Sequence, residues 1–178
     1  MTEPVAAGGP GIRGLRELIM PVVVAASEGR ATTCATSTTS YVSLSPAVLS
    51  VALRPDSRTA QMIGRTGRFS VSLLLADQVD VAQRAGRRGT ATGKMGDVGI
   101  EPEPAADGSG PPGAARAAAV LWCAVTGVTP AGDHLVIFGQ VEESRVAATS
   151  TPLLLRHQRR YLASGEPLSG YAPEGYPI

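Results

Sequence analysis

The chain has 178 residues, 43% hydrophobic and 17% charged, with a formal net charge of +1. That suits one soluble globular domain, able to bury roughly two-thirds of its unfolded surface without a metal or disulfide staple. The charge balance argues against nucleic acid as the main partner, because such domains are strongly basic. The longest apolar run, residues 19–26, falls far short of the ~20 that span a bilayer. The first residues lack the basic start and long apolar stretch of a signal peptide, so neither membrane anchoring nor secretion is expected. Cys34 and Cys123, far apart in sequence, read as buried thiols rather than a disulfide. His134 and His157 are the only histidines, and with no HExxH or CxxC spacing no metal site is expected.

In chain order, a Gly/Pro/Ala-rich flexible lead is expected over residues 1–14. Leu15, Leu18 and Ile19 have helix-like spacing, and Pro21 stops that pattern. Val22-Val23-Val24-Ala25-Ala26 is β-branched and short, so it reads as a buried strand. Glu28-Gly29 marks a turn, and residues 31–35 return as the second arm of a hairpin. A polar run, Thr36-Ser37-Thr38-Thr39-Ser40, follows that arm. Ser45-Pro46 breaks the chain, and residues 48–53 form a strand. Asp56-Ser57 supplies N-cap side chains for a short helix carrying Ala60, Met62 and Ile63, with Gly64 and Gly67 at its end. Residues 69–75 are a core strand, and Asp77 caps a second helix over residues 78–84.

Residues 86–113 are rich in Gly and Pro and read as a long functional or mobile loop, a candidate lid. Residues 117–128 and 134–142 are strands, joined by a hairpin turn at Pro130-Ala131-Gly132-Asp133. Two short closing strands are expected over residues 152–155 and 160–163. The tail, 164–178, is rich in Pro, Gly and Tyr. The tally of about seven strands and two or three short helices predicts a mainly β domain over 15–163, an antiparallel barrel with helical decorations. A doubly wound parallel sheet needs a helix after nearly every strand.

Two phosphate-loop matches fail. Gly9-Pro10-Gly11-Ile12-Arg13-Gly14 has the G-x-G-x-x-G spacing but no strand to deliver it to a helix. Gly89 to Lys94 resembles a P-loop, but its glycines are four apart and Met95 replaces the magnesium-binding hydroxyl. No G-x-S-x-G elbow exists, which weakens a serine-hydrolase reading. What survives is a pair of polar clusters that each abut a strand, Thr36 to Ser40 and Asp56-Ser57-Arg58-Thr59. Free amides and the dipole at a helix start form an anion site. Arg58 in a first turn is electrostatically odd unless an anion lies between it and the helix. The same residues also read as a capped helix with a solvated arginine. Arg156, Arg159 and Arg160 likewise read either as an anion site or as a solvated face, and Trp122 reads as core.

Residues 31–63 resemble the flavin reductase-like family of FMN-binding split barrels. Val42-Ser43-Leu44-Ser45-Pro46 is similar to that family's "SVSLxPPLV", and Ser57-Arg58-Thr59 to its "SRT" turn. In order follow Gly67-Arg68-Phe69-Ser70-Val71 for "GRFAVN", Leu121-Trp122-Cys123 for "WLEC" and Ala131-Gly132-Asp133-His134 for "AGDH". Pro152-Leu153-Leu154, with His157 and Tyr161, matches "PLLYHxGxY". The resemblance covers residues 15–163. Departures are Ser37 for the usual Asn, Thr39 for Phe, Met20-Pro21-Val22 for "TGV" and Arg159 for the closing Gly.

The resemblance implies an antiparallel split barrel and a homodimeric, cytoplasmic NAD(P)H:flavin oxidoreductase supplying reduced FMN or FAD to a partner monooxygenase. A flavoprotein of the same fold with tightly bound FMN acting on its own substrate, or a non-catalytic flavin-binding module, are the alternatives. Thr36, Ser37, Thr38 and Thr39 would line the isoalloxazine and ribityl chain. Ser57, Arg58 and Thr59 would hold the phosphate, with Lys94 a further contact. His134 would act at the flavin edge where NADH or NADPH enters, with His157 and Arg159 as further nucleotide contacts. The flavin carries the redox chemistry and the protein orients it.

Overall fold

The computed structural model describes residues 20–29, 31–86, 95–106, 108, 110–157 and 160–165. Its elements run β1 (Pro21–Glu28), β2 (Ala31–Leu44), β3 (Ala47–Leu53), α1 (Arg58–Thr66), β4 (Arg68–Leu73), α2 (Val79–Ala85), β5 (Pro102–Glu103), β6 (Gly113–Ala114), β7 (Ala119–Ala131), β8 (His134–Val146), β9 (Leu154–His157) and β10 (Arg160–Ala163). Six strands close an antiparallel barrel in the order β1-β2-β3-β8-β7-β4, with β4 pairing back onto β1. The expected mainly β split-barrel architecture is what the chain adopts.

β1 shows why the run 22–26 lacks alternation. Val22, Val24 and Ala26 pack inside the barrel with Leu49, Val51, Phe69 and Ile137. Val23 and Ala25 pack into an outer layer with Val81, Ala82, Trp122 and Leu154. A strand buried on both faces needs an apolar side chain at every position. α1 adds Ala60, Met62 and Ile63 to the inner cluster. Ser57 caps its start, and Gly67, at φ +67°, ends it with its N–H donating to the Ile63 carbonyl at 2.8 Å. Gly64 lies within the helix rather than at its end. Where β7 and β8 cross the barrel wall, Gly139 has no room for a side chain. A Cβ there would lie 2.4 Å from Phe69 Cζ.

The outer layer corrects the reading of residues 86–113 as a loop over its described stretches, 95–106 and 110–113. Met95, Val98, Ile100 and Ala105 are buried against α2, β1 and Trp122. Isolated apolar residues among glycines and prolines gave no period to read, yet each one covers part of the sheet's outer face. Polar groups fix this segment in place. Ser70 Oγ donates to the Pro112 carbonyl at 2.8 Å, Ser72 Oγ accepts from the Ala114 amide at 3.0 Å, and Trp122 Nε1 donates to the Pro111 carbonyl at 2.9 Å. Arg145 donates to Glu103 and to the carbonyls of Ala114, Ala115 and Ala117.

Other expectations shift for local reasons. The run Thr36 to Ser40 lies inside β2, because threonine suits a strand whatever its polarity. Asp77 does not cap α2; it pairs with Arg116 at 2.8 Å, and Gln78 Oε1 instead accepts from the Leu75 amide at 2.9 Å. β7 and β8 run to within two residues of each other, with Gly132 at φ +60° in the tight turn. The expected lead, the helical turn before Met20 and the tail after residue 165 lie outside the described residues. Among the described residues no helix is long and apolar enough to cross a membrane.

Candidate functional site

β2 is shared unevenly between its neighbours. Residues 31–38 pair with β1, whereas residues 39–44 pair with β3. Extending the β3 register would set Thr38 against Ala52, but the ladder stops at Thr39 and Val51. Instead Ser37 Oγ donates to the Ala52 carbonyl at 2.7 Å. The strands part there, and the β2 edge over Thr36, Ser37 and Thr38 finds no strand partner on that side among the described residues. Backbone N–H and C=O groups at such an edge seek partners.

The parting opens a cleft of about 740 Å³, within the roughly 300–1,000 Å³ of small-molecule sites. Three neighbouring strands build one wall, with Thr36, Ser37 and Thr38 from β2, Ala52 from β3 and His134 from β8. The end of α2 supplies Ala82, Gln83 and Gly86, and the closing hairpin supplies Arg156 and Tyr161. Thr36 Oγ1 donates to the Ala82 carbonyl at 2.8 Å, tying β2 to α2. Gly86 permits that approach, since a Cβ there would sit 3.2 Å from the same carbonyl. Thr39 Oγ1 is buried and has no partner among the described residues. Among the described residues, none that lines the cleft carries a carboxylate.

His134 stands at the first position of β8, beside the Leu53–Leu135 pair that ends β3. Its Nδ1 lies 2.7 Å from Asp133 Oδ1. Asp133 lies 3.7 Å from Arg54, which pairs with Asp56 at 3.0 Å. The hydrogen bond from His134, then its charge and that of Arg54, hold the Asp133 carboxyl below its usual value. This chain of charges links the His134 turn to the start of α1.

At that helix start the predicted residues have structural partners. Ser57 Oγ accepts from the Ala60 amide at 3.1 Å. Thr59 is buried, with its hydroxyl 3.1 Å from that of Thr33, and Arg58 is exposed. These three adjoin the cleft along the chain from Ala52 but do not line it. In the closing hairpin Arg156 opposes Tyr161, and His157 opposes Arg160 on the other face, so His157 does not reach the cleft lining. Lys94 and Arg159 lie outside the described residues. The structure thus brings together Thr36, Ser37, Thr38 and His134, and adds the α2 end, Arg156 and Tyr161. Both thiols are free; burial pushes Cys34 up to about 11 and Cys123 up to about 12, so neither is primed as a nucleophile.

An open strand edge beside hydroxyls, an imidazole and a guanidinium suits a planar, hydrogen-bonding ligand that carries negative charge. A flavin nucleotide meets those requirements. The flavin reductase like domain profile matches residues 15–164, and the chain belongs to that family. It is 32% identical over 120 residues to an NADH:riboflavin 5'-phosphate oxidoreductase of Streptomyces pristinaespiralis, covering 67% of this chain and 65% of that protein. It is 35% identical over 121 residues to the reductase subunit HsaB of a flavin-dependent monooxygenase from Mycobacterium tuberculosis, covering 67% of this chain and 62% of that one. The chain therefore spans somewhat under two-thirds of the length of these curated relatives. Its fold matches that of BorF, the flavin reductase component of a bacterial two-component tryptophan halogenase, with a TM-score of 0.77 and 24% identity over 88% of this chain and 98% of that one.

Proposed function

We propose that the chain is an NAD(P)H-dependent flavin reductase, supplying reduced FMN or FAD to a separate monooxygenase. The cleft at the β2–β3 parting carries this reading. A bound flavin supplies a hydride-accepting ring. The open edge over Thr36, Ser37 and Thr38 would hydrogen-bond that ring, with Thr39 beside it. Ser57, Arg58 and Thr59 would hold the phosphate, where the α1 dipole favours an anion. His134, oriented through Nδ1 by Asp133, would meet the nicotinamide with its other ring nitrogen. Lys94, His157 and Arg159 are further candidate contacts for the two nucleotides. The exposed Gln83 and Gly86 at the rim suit a flavin that exchanges rather than one that is trapped. The names of the relatives, an NADH:flavin-phosphate oxidoreductase and a monooxygenase reductase subunit, support the same assignment.

A homodimer fits the surface. Tyr41, Val42 and Leu44 are 56%, 51% and 84% exposed on the half of β2 whose edge β1 leaves open. Light scattering reading a monomer mass would overturn that element. Free thiols suit a cytoplasmic, reducing compartment. The direct test of the assignment is oxidation of NADH or NADPH with and without added FMN or FAD. Flavin-stimulated oxidation is expected, and no stimulation with either nucleotide overturns the assignment.

A further inference from the structure

We propose that Arg156 forms a second anionic subsite on the far wall of the cleft, taking a phosphoryl group of a bound nucleotide. The inference rests on the nucleotide-binding reading above and deepens it. Arg156 and Tyr161 oppose each other across β9 and β10, and the guanidinium carbon lies 5.8 Å from the Tyr161 ring centroid. That cation–π contact uses none of the guanidinium's hydrogen-bond donors. Arg156 Nε is buried and has no partner among the described residues. The contrast with other arginines is informative. Arg54, Arg65, Arg84, Arg116 and Arg145 each pair with a carboxylate, and Arg156 pairs with none among the described residues. No carboxylate is among the described residues that line the cleft, so none of these neutralises it. A buried donor left unmet favours a ligand that completes it, and a planar guanidinium matches two phosphate oxygens at once.

With the flavin phosphate placed at α1, the phosphoryl group is that of the pyridine nucleotide, and one experiment separates this from a flavin-phosphate contact. Arg156→Gln and Arg156→Lys are titrated with FMN and with riboflavin, and KM for NADH is measured. Loss of a charge-assisted bond is expected to weaken the relevant ligand about tenfold or more in Arg156→Gln. Arg156→Lys keeps the charge and is expected to lose less. A weaker FMN with unchanged riboflavin would put the flavin's one phosphate at Arg156 instead of at α1, and overturns a second subsite. A raised KM for NADH with unchanged FMN assigns it to the pyridine nucleotide. Equal weakening of FMN and riboflavin, or no change in any of the three, overturns the proposal. If the wild-type protein neither binds flavin nor oxidises NADH, the functional assignment fails by itself. The subsite is then judged on inorganic pyrophosphate, whose stabilisation of the wild type in thermal melts must vanish in Arg156→Gln.

Discussion

The Ser37 hydroxyl donates to the Ala52 carbonyl across 2.7 Å, and this bond stands where the β2–β3 ladder ends. It lets two strands part without leaving that carbonyl unpaired. Ser37→Ala removes the donor, at a cost of about 1 kcal/mol. Urea denaturation is expected to show that loss, together with weaker flavin binding, since the cleft wall loses its brace.

His134 and Asp133 divide their work. His134→Ala removes a group that lines the cleft and is expected to lower flavin-stimulated NADH oxidation by about tenfold or more. Asp133→Asn keeps a hydrogen-bond acceptor and is expected to cost less, and steady-state kinetics of both variants checks the order. Asp133 titrates below 3.8 in the folded chain, so its contact is intact above that value and is lost only as pH falls through the lowered one. Activity above that range is therefore expected to be indifferent to Asp133 ionisation.

Gly139 and Phe69 make a packing test. A Cβ at residue 139 would meet Phe69 Cζ at 2.4 Å and Cys123 Cβ at 2.9 Å. Phe69 is fully buried and cannot retreat. Gly139→Ala is expected to cost about 1–3 kcal/mol. Gly127→Ala is the control, since its Cβ would meet Phe138 at an ordinary 3.6 Å. Thermal melts are expected to fall for the first variant and not for the second.

Burial of the thiols sets an alkaline limit. Folding favours their neutral forms, so their contribution is complete below the ordinary value of 9.0. It is lost as pH rises from there toward about 11 for Cys34 and about 12 for Cys123. Unfolding free energy is expected to be insensitive to the thiols near neutrality and to decline above pH 9.0. Alkylation at neutral pH is expected to be slow until the chain is unfolded.

The sequence was most legible where one local rule governs. The β-branched run of β1, the Ser57 cap and Gly67 end of α1, and the Gly132 turn of the β7–β8 hairpin each follow from neighbouring residues. The cleft's first wall was legible too, through Thr36, Ser37, Thr38 and His134. Its other walls depend on tertiary placement. Gly86 shows only a helix end until Thr36 packs beside it. Arg156 is one of the neighbouring arginines 156, 159 and 160, and only the register opposite Tyr161 separates it from His157 and Arg160. Asp77 had a cap's residue type but found Arg116 instead. Met95, Val98 and Ile100 belong to the core because of the sheet face they cover, which no spacing along the chain reveals.

On the proposed function, a flavin nucleotide lies along the open β2 edge with its phosphate at the start of α1. Amide hydrogen exchange with and without FMN tests it most directly. Slower exchange is expected for the amides of residues 36–38 and of the first turn of α1, with the β7–β8 turn little changed. Unchanged exchange in both places, at FMN concentrations that saturate turnover, would contradict the account.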